Sequence, residues 1–280
     1  MKGLVMFRLR SVKERACVKA LLTLNFILAA LLMSQSVNAK TITFESSAEA
    51  AALVELYTSQ GCSSCPPAER WFSKLTNDKR LWTQLFPIAF HVDYWDYLGW
   101  RDPFASPAFS LRQRKYERYG HTSNVATPGF VVDGKGWNGW FRGRSLPVMD
   151  SVKNPGMSDV EIKAELKAEL NQQNVRVQFS QLEASKSLKA SPKVHVAILA
   201  FDIVIPVKGG ENRGRDLKHD FVVVGYHDSH LIQTGDDWRV DLKRPDTRKY
   251  DAYRQAAVIW VSDGEDPRPI QVAGGWLPAK

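Results

Sequence analysis

The stretch Leu53-Val-Glu-Leu-Tyr-Thr-Ser-Gln-Gly-Cys62-Ser-Ser-Cys65-Pro-Pro-Ala-Glu-Arg-Trp-Phe-Ser-Lys-Leu75 decides the reading of this chain. Leu53 to Tyr57 is a short apolar, β-prone run, the pattern of a buried strand. Thr58 to Gly61 is turn chemistry. From Cys62 onward the pattern is helical. Pro66 and Pro67 fall in the first turn, where a missing N–H costs little. Trp71, Phe72 and Leu75 share one face. The C-x-x-C therefore sits at a strand-to-helix junction, with Cys62 at the helix N-terminus.

Unpaired N–H groups and the helix dipole at such a position favour a thiolate. Cys62 is accordingly the expected nucleophile and Cys65 the resolving thiol, within disulfide reach of it. The order strand, C-x-x-C, helix resembles the thioredoxin superfamily. Two other readings stand beside it. A zinc site needs four ligands, and no second cysteine pair exists. A purely structural Cys62–Cys65 disulfide in a secreted protein remains open.

Further motifs narrow the resemblance. Glu55 to Glu69 is followed by Phe90-His-Val-Asp-Tyr-Trp-Asp-Tyr-Leu-Gly-Trp100 and Asp102-Pro-Phe-Ala-Ser-Pro107, then by Thr127-Pro128 and Gly210-Glu-Asn-Arg-Gly-Arg215. Together these resemble the bacterial secreted family called domain of unknown function 1223. The resemblance covers nearly all of the chain beyond its leader. It implies a thioredoxin-like domain with a C-terminal extension and supplies no substrate. It also implies a cis proline opposite the C-x-x-C, at Thr127-Pro128 before Phe130-Val-Val. Such a bond positions the preceding backbone to pair with an incoming peptide; a trans proline at a loop end is the plain alternative. Other thioredoxin-like proteins carry a buried carboxylate about six residues before the nucleophile. Glu55, seven residues before Cys62, is its expected counterpart, placed to accept the proton of Cys65. A Glu55 turned outward to a surface base is the other reading.

The 280 residues are 44% hydrophobic and 11% aromatic, an ordinary globular composition able to bury a core. Residues 1–39 read as a secretory signal peptide. Six Lys or Arg residues precede an apolar run, Leu21 to Met33, and Val37 and Ala39 occupy the −3 and −1 positions before Lys40. The run is short for a membrane span, although an uncleaved anchor is an open alternative. With Glu14 the leader carries +5 of the formal +8, which leaves +3 on the rest. No nucleic-acid partner is read from that balance. Cleavage also removes Cys17, so the exported chain keeps only Cys62 and Cys65. With no disulfide framework, the pair is either a local clip or a redox centre.

Residues 40–153 form the expected thioredoxin-like domain. Lys40 to Ala52 reads as a polar lead-in. Leu85 to Val92 is a second apolar strand, so a βαβ unit with a parallel pair is expected. Asp93 to Trp100 is an aromatic loop at the carboxyl end of that strand, where α/β sheets place ligand sites. It reads as a lid over the cysteines, a substrate groove or an ordinary loop. Asp93, Trp95 and Asp96, with Thr127 and Pro128, are the candidate substrate-binding residues. Ser106-Pro107 starts a helix whose Arg112, Arg114, Lys115 and Arg118 read as its solvent face. Asp133-Gly134 turns into a strand near Trp137 to Trp140, and Ser145 to Val152 reads as a closing helix.

Residues 154–280 form the expected second, mostly β, sandwich-like domain. Val160 to Leu170 alternates apolar and charged residues, the period of a strand with one wet face. Further strands are expected at Val175 to Phe179, Val194 to Val204, Phe221 to Tyr226, Trp238 to Leu242 and Ala256 to Val261. Gly209 to Arg215 is Gly-rich but lacks the ending of a P-loop. His219, His227 and His230 are possible metal ligands, though scattered histidines are the plainer reading.

The sequence thus predicts an α/β chain acting as an exported thiol–disulfide oxidoreductase or redox-active protein, periplasmic or secreted, using Cys62 and Cys65. Its expected partners are protein thiols or disulfides and a recycling protein. No cofactor, no metal, and no membrane span after cleavage are expected. Two other classes compete: a non-catalytic binding module with a structural disulfide, and a copper-handling protein using the dithiol with His91 nearby.

Overall fold

Two periodicities organise the chain, and they come from strands that are covered on one face or on two. The computed structural model describes residues 41–46, 51–147, 164–182, 188, 190–251 and 253–279. The leader read over residues 1–39 and the linker at 154–158 lie outside them. Among the described residues the elements are β1 (Ile42–Glu45), β2 (Ala52–Thr58), α1 (Cys65–Ser73), β3 (Leu85–His91), α2 (Pro107–Arg118), β4 (Gly129–Val132) and β5 (Lys135–Gly136). There follow β6 (Ala164–Leu170), β7 (Asn174–Gln181), β8 (Lys193–Ala200), β9 (Ile203–Pro206), β10 (Asp216–His219), β11 (Val222–His230), β12 (Ile232–Thr234), β13 (Asp237–Lys243), β14 (Gln255–Ser262) and β15 (Pro269–Trp276). The protein is α/β with mostly β content. No helix among the described residues is long and apolar enough to cross a membrane.

An eight-stranded sheet runs in the order β15-β14-β8-β11-β3-β2-β4-β5. β2 and β3 are parallel, as the βαβ reading expects. Every residue of β2 and of β3 is buried. This is the signature of central strands covered on both faces. A five-stranded sheet, β1-β6-β7-β13-β12, is antiparallel throughout. In β6 the apolar residues Ala164, Leu166, Ala168 and Leu170 are buried, while the charged residues between them point away.

β8 and β14 join the two layers. Ala197, Leu199, Val258 and Trp260 pack with Leu53, Phe72 and Phe90 in one core. Their alternate neighbours Val196, Ile198, Ile259 and Val261 pack with Leu166, Val177 and Phe179 of the five-stranded sheet. One pleated pair thus feeds two cores, which is why both strands read as unbroken apolar runs.

Several expectations change here. Residues 41–280 form one unit. The boundary expected at 153/154 does not separate two cores, because β11 continues the sheet from β3. The polar lead-in holds a strand, since β1 finds a free edge of β6. Arg112 is buried, not solvent-facing. The segment at Trp137 to Trp140 enters a 3-10 turn at Gly139–Arg142 after a short hairpin. Ser145 to Pro147 is not helical, and the rest of that expected closing helix lies outside the described residues.

Candidate functional site

The C-x-x-C lies between the end of β2 and the start of α1. Ser64 is the helix N-cap and Cys65 the first helical residue. Cys62 therefore sits one tight turn earlier than expected, its N–H bonded to the Ser59 carbonyl and its own carbonyl bonded by the Cys65 N–H. Cys65, Ala68, Glu69 and Phe72 are all buried. That spacing of three and four residues turns Glu69 to the same side of the helix as Cys65.

Both cysteines are free thiols rather than the expected disulfide. They are 1% and 0% exposed. Their chemistry is nonetheless divided. The Cys65 thiol, hydrogen-bonded to Cys62, pulls the Cys62 thiol down to about 6 against the opposing effect of burial, with help from Ser64 and Thr127. Burial pushes the Cys65 thiol well up, and the neighbouring Cys62 sulfur and the Glu69 charge add to it. The largest influence on Cys62 is the partner thiol, and the backbone N–H of the N-cap Ser64 contributes less.

Three loops converge on this turn. The first carries Thr127-Pro128, whose peptide bond is cis. Cys62 Sγ lies 3.7 Å from the Thr127 carbonyl oxygen and 3.2 Å from Ser64 Oγ. The second is the aromatic loop after β3. Trp95 Nε1 donates to Thr127 Oγ1 at 2.7 Å, and Trp100 Nε1 donates to Gln60 Oε1 at 2.8 Å. Tyr94 donates to Gln113, which in turn donates to the Ala126 carbonyl. A Cβ on Gly61 would stand 3.0 Å from that of Trp95, so this loop covers the cysteine turn closely. The third is the Gly-rich segment before β10. Glu211 accepts the Ser63 N–H at 2.8 Å, and the buried Asn212 amide donates to the Gln60 and Cys62 carbonyls at 2.9 Å each. Gly209 is needed there, because its Cβ would fall 2.4 Å from the Gly99 carbonyl oxygen.

Not every expected site residue arrives. Trp95, Thr127 and Pro128 surround the thiols. Asp93 instead accepts the Ser110 hydroxyl at 2.5 Å, and Asp96 accepts the Asp102 N–H at 3.1 Å. Both acids serve the architecture of their own loop. Glu55 is buried as expected, but away from the cysteines. It shares a strand face with Tyr57, which donates to it, and takes two hydrogen bonds of 2.8 Å from the Arg112 guanidinium and one from Tyr116. Thr58, on the other face of β2 by alternation, is the residue that meets Glu69, at 2.5 Å. The carboxylate beside Cys65 is thus Glu69, and Glu55 anchors α2 to the sheet.

The profile of the family described as Protein of unknown function (DUF1223) matches residues 53–262. The chain belongs to the DUF1223 family. A search of the curated proteins finds no match. Among solved structures, this DUF1223 chain is similar to an Agrobacterium tumefaciens protein determined by a structural genomics consortium. That likeness has a TM-score of 0.53 and 22% identity over 83% of this chain and 96% of the other. It is also similar to HBP35 of Porphyromonas gingivalis, with a TM-score of 0.53 and 13% identity over 83% of this chain and 76% of that one. At these identities the likeness is one of fold.

The DUF1223 site also contains residues that the sequence did not single out: Gln60, Glu69, Asp102, Glu211 and Asn212. Only Glu69 carries a local signal, its position four residues after Cys65 on a helix. His219 is buried near α1, whereas His227 and His230 are exposed on β11. Gln60 lies in the cysteine turn itself, and Asp102, Glu211 and Asn212 are brought in by loops distant in sequence.

Proposed function

We propose that this protein is an exported, thioredoxin-like thiol–disulfide oxidoreductase, with Cys62 as nucleophile and Cys65 as resolving thiol. The observation that carries the reading is the split between the two thiols, one drawn down to about 6 and the other pushed well up, beside the Thr127 carbonyl. A low thiol attacks as thiolate near neutral pH; a high one stays protonated until needed. In the reaction, Cys62 thiolate attacks one sulfur of a substrate disulfide and releases the other as thiolate. Cys65 then attacks Cys62 Sγ in the mixed disulfide, and its proton ends on the second departing substrate sulfur. Two electrons pass to the substrate, and a Cys62–Cys65 disulfide remains for a reducing dithiol partner. The reverse sequence oxidises a substrate dithiol. A cleft of about 600 Å³, lined by Pro128, Gly129, Gln113, Asn124 and Trp137, gives a polypeptide substrate a path toward Thr127. Export rests on the leader read over residues 1–39.

One observation favours a rival reading, in which the pair is a structural clip: neither thiol is open to solvent. Insulin reduction and refolding of a reduced, scrambled protein separate the two. The redox reading expects turnover that Cys62→Ser abolishes, and a trapped mixed disulfide with Cys65→Ser. Absence of both activities in the wild-type protein, with the disulfide intact after equilibration in glutathione buffers, supports the clip.

A further inference from the structure

Beneath α1, three buried side chains of metal-ligating type meet. Glu69 comes from α1, His91 from the last position of β3 and His219 from the last position of β10. One ligand atom of each lies within 4.8 Å of the others. None of the three residues is more than 6% exposed. Among the described residues no other group of three such side chains is this close, and this one includes neither cysteine.

The surroundings leave one donor, on His91, without a partner and hold the other two in place. His91 Nδ1 is 2.7 Å from Asp102 Oδ2, and Asp102 is itself fixed by the N–H groups of Gln60 and Phe104. That leaves His91 Nε2, which is buried and has no hydrogen-bond partner. A buried polar atom without a partner costs about 1–3 kcal/mol. An imidazole held at one nitrogen by a carboxylate and bare at the other is oriented as metal-binding histidines are. Thr58 donates to Glu69 Oε1, so Oε2 is the oxygen that faces His219 Nδ1, at 2.6 Å. The Gln60 amide, whose oxygen accepts from Trp100, donates through its nitrogen to the other ring nitrogen of His219 at 3.0 Å, so ion binding through Nδ1 moves the ring proton to Nε2 and turns this amide away. Charge points the same way. Glu69 and Asp102 are two buried carboxylates, and a dication balances both while leaving each imidazole neutral.

We propose that Glu69, His91 and His219 bind one divalent first-row transition ion, with Asp102 as the positioning residue for His91. Two imidazoles and one carboxylate are donors of borderline hardness. They suit zinc, cobalt, iron or manganese, rather than calcium or magnesium, which take oxygen, or copper(I), which takes sulfur. Binding replaces the hydrogen bond between His219 and Glu69. The site is independent of the thiol chemistry proposed above and differs from a dithiol copper site in its ligands.

The test uses the full chain carrying Cys17→Ser, Cys62→Ser and Cys65→Ser, so that no thiol can take the ion. The protein is stripped with a chelator and titrated with Co²⁺, then with Zn²⁺. One Co²⁺ per chain is expected, with ligand-field absorption, no sulfur-to-metal charge transfer, and displacement by Zn²⁺. His91→Gln should abolish stoichiometric binding, and Asp102→Asn should weaken it by about 10–100-fold. If either variant fails to fold, the rise in Tm of the cysteine-free chain at one equivalent of Zn²⁺ decides. No stoichiometric binding in the cysteine-free chain overturns the proposal, as does binding unchanged by His91→Gln or a Tm indifferent to Zn²⁺.

Discussion

Cys62 and Glu55 show how far a single residue's environment departs from its place in the sequence. The Cys62 thiol is lowered to about 6, chiefly by the Cys65 hydrogen bond. Its alkylation rate, divided by the rate for a model thiol corrected for ionisation, should rise through about pH 6 and then level. Cys65 should remain unlabelled across the same range. Mass mapping after limiting iodoacetamide at each pH measures both, and earlier labelling of Cys65 reverses the assignment. The sign of the linked stability follows: a folded thiol lower than the unfolded one stabilises the reduced protein fully above the unfolded value near 8.5. That contribution is lost as pH falls to about 6, and Cys62→Ser should remove it.

Glu55 belongs to stability instead. It is 0% exposed and paired with Arg112, which also lies over the Trp260 ring at 5.0 Å. Removing one partner of such a pair leaves an unbalanced buried charge, at a cost of about 3–5 kcal/mol. Glu55→Gln should therefore lower the unfolding free energy by about 3–5 kcal/mol, read as a lower denaturant midpoint, while leaving the pH profile of Cys62 labelling in place. A changed profile in a folded Glu55→Gln protein would return Glu55 to the thiol chemistry.

Among the elements, the segment from Gly209 to Arg215 acts on the cysteine turn from across the chain. Asn212 makes two hydrogen bonds to its carbonyls, and Arg215 holds the Asn212 side chain from behind. Hydrogen bonds of about 1 kcal/mol each hold the turn shut. Losing both shifts a local opening equilibrium roughly tenfold or more. Asn212→Ala should accelerate Cys62 labelling by that factor, with a smaller effect from the exposed Glu211→Ala. An unchanged rate in a folded variant would mean that Trp95 and the Thr127 loop alone cover the thiol.

For the whole molecule, the shared sheet forbids independent halves. Phe90 packs edge-on to Trp260 and Tyr226, and Phe72 packs on Phe221. Loss of Trp260 alone removes about 3–5 kcal/mol, against a total of about 5–15 kcal/mol for a domain. A fragment ending at residue 153 loses Phe201, Phe221 and Trp260 together, so it should show no cooperative unfolding and little near-ultraviolet dichroism. A cooperative transition in that fragment would restore a domain boundary at 153/154.

Local physics made the β2–turn–α1 junction legible, because an apolar run, turn residues and early prolines each act within a few positions. The period-two pattern gave β6 for the same reason, and Ser106-Pro107 gave the start of α2. Burial of Glu55 was also legible, since a central parallel strand is covered on both faces. What it pairs with was not. Arg112 reads as a surface residue on its own helix, and only the approach of α2 to β2 supplies the carboxylate that makes its burial tolerable. The same holds for Glu69, His91, Asp102 and His219, which come from four separated segments and acquire meaning as a group only when β3 and β10 end beneath α1. Sequence determined which residues are thiols, ligands and strand formers. Tertiary structure decided which charges are buried together, because pairing depends on distances across the fold that no local pattern encodes.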